Sequence, residues 1–286
     1  MLNREDGNII ISKFIKENNN FALSRMGLSE LRWIDWFIKD GLESKCDGYD
    51  WCGQYYTPTF RDRLNFNGIY GGTYEYFMQE YIKGISCADI QVEWHVDEIQ
   101  KQQQNIFNNY SKYSSKVHIE SIVPYFHTNF WSKNLEGKKV LIIYPFENTI
   151  RQQYDKKDKI WVGEHSGKLP DFELLTYKPF WALGNHFSHN SWGETLDAMK
   201  EDISKLDFDI AILGCSHYGL PLVAHIKQVM KKSAIYMGGE TQILFGIKGK
   251  RWDSWEGSSS FYNENWTRQI DVVPDSINLM DGGCYL

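Results

Sequence analysis

Phe208-Asp209-Ile210-Ala211-Ile212-Leu213-Gly214-Cys215-Ser216-His217-Tyr218-Gly219-Leu220-Pro221-Leu222 decides the fold. Phe208 to Leu213 reads as a strand that ends in Gly214. Gly214 to Gly219 is a glycine-bounded turn. Pro221 falls in the first turn of the helix that follows, where its missing N–H costs nothing. That helix, Leu222 to Lys231, leads into a second strand, Ser233-Ala234-Ile235-Tyr236-Met237, which ends at Gly238-Gly239. Upstream, Trp192 to Leu206 is an amphipathic helix with Leu196, Met199, Ile203 and Leu206 on one stripe. Alternating strands and helices of this length imply right-handed crossovers and a parallel sheet with helices on both faces.

The pattern extends in both directions. Lys138-Lys139 and then Val140-Leu141-Ile142-Ile143-Tyr144-Pro145 form the clearest strand of the earlier chain, followed by a helical Glu147–Tyr154 and a strand over Phe172–Tyr177. Near the start, residues 6–20 suit a helix, and Phe21-Ala22-Leu23-Ser24-Arg25 a short buried strand. Gly27 makes a turn, and Glu30 to Lys39 is a strong helix with Leu31 and Ile34 at helical spacing. A helix around Tyr74–Lys83 and a strand over Cys87–Val92 follow, and the Gln-rich Glu98–Tyr110 is either an exposed helix or a loop. The tail from Trp252, rich in Trp, Asn, Gly and Ser, reads as a surface wrap.

Composition limits the function. The 286 residues are 42% hydrophobic and 24% charged, ordinary for a globular protein with a full core. Aromatics reach 15%, which suits either a ring-lined cleft or a ring-filled core. A net charge of −6 offers no overall footprint for nucleic acid or an anionic membrane, so an anionic ligand must be held locally. Five cysteines, Cys46, Cys52, Cys87, Cys215 and Cys284, include no CxxC pair, so neither a zinc knuckle nor a disulfide framework is indicated. No signal peptide or 18-residue apolar run is seen, and the chain reads as cytoplasmic, without a transmembrane segment.

In an open parallel sheet, ligands bind outside the carboxyl ends of the strands. Four loops qualify: Arg25–Glu30, Pro145–Thr149, Gly214–Gly219 and Gly238–Gln242. The Gly214 loop places free N–H groups at a helix start, which suits a phosphate, although it is neither GxGxxG nor a P-loop. His217 is the expected phosphate donor within it, with Tyr218 as a ring to stack. Gly238 and Gly239 admit close approach of a ligand, and Thr241 and Gln242 supply polar groups for a ribose or sugar hydroxyl. Lys248, Lys250 and Arg251 form a basic cluster suited to a diphosphate. Glu30 is a candidate general base or metal ligand with Arg25 as charge partner, or the two form an ion pair that stabilises the turn. His186 and His189 stand three apart, but their surroundings read as loop with no third ligand, so no metal site is assigned.

The blocks Gly214–Leu222 and Ala234–Trp252 together resemble bacterial and viral proteins of surface-polysaccharide gene sets. Tyr262-Asn263-Glu264-Asn265-Trp266 and the ending Gly282-Gly283-Cys284-Tyr285 fit the same group. Those proteins are in turn similar to GT-D fold glycosyltransferases, whose strand followed by an R-x-G-x-x-E turn resembles Phe21–Glu30. The resemblance implies a GT-D-like, Rossmann-like α/β fold in one domain over 1–286, with a nucleotide-binding half at about 138–252. It further implies a sugar donor linked to a nucleoside diphosphate, UDP favoured, and a glycan acceptor. Donor-site residues would be Gly27, Gly214, Ser216, His217, Tyr218, Gly219, Gly238, Gly239, Thr241, Gln242, Lys250 and Arg251, with Glu30, Arg25 and His217 catalytic. The family turn commonly carries Asp-Gly-Glu bound to a divalent metal. Here Leu28-Ser29-Glu30 keeps only the glutamate, which leaves Mn2+ or Mg2+ dependence open. A non-catalytic nucleotide- or glycan-binding protein is the alternative; a methyltransferase is disfavoured by the absence of a GxGxG turn after the first strand.

Overall fold

A computed structural model describes residues 3–17, 20–43, 48–49, 55–56, 59–182, 187–279 and 282–286. Among them, seven strands form one parallel sheet. In chain order these are β1 Ala22–Ser24, β2 Ile90–Glu93, β3 Ser115–His118, β4 Lys139–Ile143, β5 Glu173–Tyr177, β6 Ile210–Leu213 and β7 Ser233–Tyr236. Their spatial order is β3-β2-β1-β7-β6-β4-β5, so the first and last strands lie side by side at the centre. Leu23 pairs with Ile235 on one side and Ile90 on the other. A two-stranded antiparallel pair, Gly48–Tyr49 with Tyr55–Tyr56, stands apart from this sheet.

The sheet is covered on both faces because its strands are apolar on both. In β4, Leu141 and Ile143 join one core while Val140 and Ile142 join the other. This is the period of two expected when each successive side chain points to the opposite face. The first core receives α2 (Leu28–Asp40), α3 (Tyr74–Ser86), α4 (Asp97–Tyr110), α6 (Trp192–Ser204) and α7 (Gly219–Gln228). The second receives α1 (Arg4–Glu17), α5 (Glu147–Tyr154) and α8 (Glu240–Leu244). The architecture is an α/β, Rossmann-like parallel sheet with helices on both faces. No helix of the described residues is long and apolar enough to cross a membrane.

Several details differ from the expectations. The helix after the Gly214 turn runs over Gly219–Gln228 and stops short of Lys231, whose φ of 58° is incompatible with a continuing α-helix. Glu98–Tyr110 is helix rather than loop, since Ile99, Gln103, Ile106 and Phe107 bury one stripe. The edge strand β3 escapes notice because only Val117 of its four residues is buried. The tail is no mere surface wrap: Trp252, Trp266, Ile277 and Cys284 are buried. Cys46, Cys52 and His186 lie outside the described residues, and Cys87, Cys215 and Cys284 are not in disulfides.

The tail is tied to the sheet by Asp271, which is 6% exposed. Its carboxylate accepts from the N–H groups of Asn148 and Thr149 at 3.0 Å each and from the Thr149 hydroxyl at 2.6 Å. It thus caps the start of α5, where the orphan N–H groups and the helix dipole favour a negative charge. Replacing Asp271 by Ala orphans these donors and should lower unfolding free energy by about 1–3 kcal/mol. Urea denaturation monitored by tryptophan fluorescence checks this; an unchanged midpoint would show the cap to be dispensable.

Candidate functional site

The loops that leave β1, β4, β6 and β7 converge at the carboxyl edge of the sheet, as the parallel topology requires. They enclose a cleft of about 560 Å³. Its lining includes Arg25, Gly27 and Glu30 after β1, Tyr144–Phe146 after β4, Gly214–Tyr218 after β6, and Gly238–Glu240 after β7. Trp94 after β2 and Phe180–Ala182 after β5 close the sides, and Arg251, Trp252, Trp255 and Tyr285 bring in the tail. Both halves of the chain therefore build the cleft. The aromatic excess serves both uses anticipated for it, filling the cores and lining the cleft.

Arg25 sits at the centre of this edge. Its guanidinium lies over the Trp94 ring, 4.9 Å from the centroid, and its Nε is buried with no hydrogen-bond partner. Trp94 is fixed in turn by its indole N–H, which donates to Met26 O at 2.8 Å. No carboxylate of the described residues comes within ion-pair distance of Arg25, so the expected pairing with Glu30 is not the arrangement found. Stacking on a ring leaves the N–H fork of an arginine available to an anion.

Two glycines bring the loops this close. Gly238 has φ +73°, and a Cβ there would lie 2.7 Å from Arg25 Nη1. At Gly214, a Cβ would collide with the Gly238 carbonyl and come within 2.5 Å of the Tyr144 ring. A larger residue at Gly214 would push the β6 and β7 loops apart, and one at Gly238 would strain the backbone and displace the Arg25 guanidinium. Ser216, between them, is a non-glycine residue at φ 53° and the exposed member of an otherwise buried turn. The left-handed conformation costs on the order of 1–2 kcal/mol and is held here by Tyr236, whose hydroxyl donates to Ser216 O at 2.9 Å. Burial pushes the Tyr236 phenol well above its ordinary pKa, so it remains a donor.

Glu30 is the third residue of α2, and its carboxylate folds back against Gly27, the N-cap. There the helix dipole stabilises it, in the manner of a capping glutamate. It lines the cleft together with Arg25.

The structure separates the other expected site residues. His217 lines the cleft but is 5% exposed, and its Nδ1 accepts from Trp192 Nε1 at 2.9 Å. Burial lowers its pKa to about 4, so at neutral pH it is not the cationic phosphate donor expected of it. Gly219 packs under the Tyr236 ring at the start of α7, and Thr241 and Gln242 are fully buried behind the cleft. Gln242 acts indirectly: its Oε1 accepts from Tyr144 OH at 2.8 Å, and its Nε2 donates to Tyr285 O at 3.3 Å, which fixes two cleft residues. Of the basic cluster, Arg251 reaches the rim, where it donates to Tyr285 OH at 3.1 Å. Lys250 is exposed outside the lining, and Lys248 lies over the Tyr262 ring.

Sequence reasoning missed Trp94, Glu240, Trp255 and Tyr285. Trp94, two residues beyond the expected strand 87–92, was the one detectable from position, since a residue just past a strand's carboxyl end faces the ligand edge. Among the described residues no group of three His, Cys, Asp or Glu is placed to hold a metal ion.

No family model matches the chain, and no curated protein matches it. Among solved structures, the selenomethionine-substituted structure of domain of unknown function 1792 is similar over 95% of this chain and 91% of that one, at 13% identity and a TM-score of 0.43. A likeness at this level carries no argument about chemistry, and the functional reading rests on the cleft's own residues.

His217 gives a pH test. Its folded pKa lies below the unfolded value of about 6.5, so the unfolded chain alone takes up the proton between pH 6.5 and 4. This group's contribution is therefore complete above pH 6.5 and is lost as pH falls through that window, by about 3 kcal/mol at most. Ring-proton NMR should show His217 neutral at pH 5.5, and His217→Gln should lose less stability than the wild type between pH 7 and 5. An imidazole titrating near 6.5 would contradict the buried placement.

Proposed function

We propose that this chain is a glycosyltransferase that moves a sugar from a nucleoside-diphosphate donor, a UDP-sugar by preference, to a glycan acceptor. The observation that carries this reading is the position of Arg25. It is a cation without a carboxylate partner among the described residues, stacked on Trp94 beside Gly238, where the first and last strands meet. In a protein of net charge −6, a local cation of this kind at the ligand edge suits a diphosphate. The turn at Ser216 opens the helical segment that continues into α7 and brings the positive end of that segment to the cleft.

The chemistry follows from that placement. In the inverting form of the reaction, Glu30 takes the proton of the acceptor hydroxyl as its oxygen attacks the anomeric carbon. The bond from that carbon to the diphosphate breaks, and the electron pair leaves with the diphosphate. Arg25 and the N–H groups of the Ser216 turn offset the charge that develops there. Rings on the cleft wall, Phe180 and Trp181 among them, suit the apolar faces of a glycan acceptor.

Thermal shift with UDP, GDP, NAD and S-adenosylmethionine, with and without Mn2+, tests the reading. A nucleoside diphosphate at about 100 times its dissociation constant should add roughly 2.7 kcal/mol. Arg25→Ala should weaken that binding by about 10- to 100-fold, the equivalent of a charge-assisted contact of roughly 1.5–3 kcal/mol. Binding with neither sugar transfer nor donor hydrolysis would favour a non-catalytic binding protein. Stabilisation by S-adenosylmethionine or NAD alone would overturn the proposal.

A further inference from the structure

Glu240, the first residue of α8, lines the cleft on the side opposite Glu30's helix and has no part in the reaction as written above. Its Oε2 accepts from the Tyr125 hydroxyl, and its Oε1 from Trp252 Nε1 at 3.1 Å. Tyr125 and Trp252 are each 1% exposed, and Tyr125 is stacked on Trp161 with centroids 5.3 Å apart. The carboxylate is therefore oriented by two donors that are themselves locked in the core. Burial, and after it the charge of Glu240, push the Tyr125 phenol well above its ordinary pKa, which keeps it a donor. No cation among the described residues lies within ion-pair distance of Glu240. The half-buried carboxylate is thus aimed by two neutral donors, with no counter-charge beside it among the described residues.

An ionised carboxylate offers about four acceptor positions, and two are used, so each oxygen retains one. Two parallel acceptors on a rigid carboxylate match two neighbouring hydroxyl donors, the pattern that a pyranose presents at its equatorial edge. The same wall carries Trp255, a ring 43% exposed, suited to the apolar C–H face of such a sugar.

We propose that Glu240 is the sugar-reading residue of the cleft: its two oxygens accept hydrogen bonds from adjacent hydroxyls of a pyranose that lies against the Trp255 side of the wall. This deepens the transferase reading and rests on it for the presence of a sugar in this cleft. The pyranose belongs either to the donor or to the acceptor, and the probes below separate the two.

Wild type, Glu240→Gln and Tyr125→Phe are titrated calorimetrically with UDP, UDP-glucose, UDP-galactose and methyl α-D-glucopyranoside. Saturation-transfer NMR reads contact with the sugar protons. Glu240→Gln should bind UDP as the wild type does and lose at least about 10-fold in affinity for the sugar-bearing probes, because it keeps the size but gives up the charge and one acceptor. Tyr125→Phe, which leaves the carboxylate in place but unaimed, should show a smaller loss in the same direction. A loss confined to the UDP-sugars assigns the donor pyranose; a loss with the methyl glycoside assigns the acceptor. Unchanged sugar affinity in Glu240→Gln would overturn the inference, as would UDP binding with no sugar-proton contact in the wild type. Glu240-dependent binding of the methyl glycoside without any UDP binding would uphold the inference and sink the nucleotide-donor reading.

Discussion

Ala22 pairs with Ala234 and Leu23 with Ile235, and this one parallel ladder between the first strand and the last sets Arg25 beside Gly238. Every other strand of the sheet is reached by moving outward from that junction. The chain places β2 and β3 on one side, and β4, β5 and β6 on the other. Loops from opposite sides of the switch point cannot cover one another, which leaves a crevice at the carboxyl ends. Ladder residues with little bulk help: Ala22, Ala211 and Ala234 lie in register across three adjacent strands, all fully buried.

The polar groups around the crevice divide by whether they are turned into the walls or toward the opening. Asp271 fills the start of α5, so the helix that follows β4 offers no anion site to a ligand. Gln242 is spent on Tyr144 and on the chain at Ile247 and Tyr285. His217 is bound to Trp192 and kept neutral by burial. What remains turned toward the crevice is the Arg25 fork, the strained turn at Ser216, and two carboxylates held in different ways. Glu30 leans on its own helix start, whereas Glu240 hangs from two buried rings. The bonds buried in the walls give them their rigidity, and the groups turned toward the crevice give the cleft its chemistry.

Local pattern was enough for the sheet's central strands. The apolar runs of β4, β6 and β7 are buried on both faces, so they stand out without reference to partners, and the stripe Leu196, Met199, Ile203 is one face of α6. The glycine turns also announced which loops line the edge. Legibility stopped where burial is decided by distant residues. Thr241 and Gln242 have the same chemistry as ligand-binding groups, and only the packing of the tail over α8 shows that they face inward. Glu240 differs from an ordinary surface glutamate solely through Tyr125, 115 positions away, and Trp252. The edge strand β3, with one buried residue in four, has almost no pattern to read.

The central claim is that an anionic ligand sits at the β1–β7 junction on Arg25. A crystal structure of the protein grown with UDP tests it most directly. Diphosphate density against the Arg25 guanidinium, between Gly238 and the Ser216 turn, is the predicted result. Density for UDP anywhere else on the molecule, with Arg25 still stacked on Trp94 and its fork empty, would contradict the account.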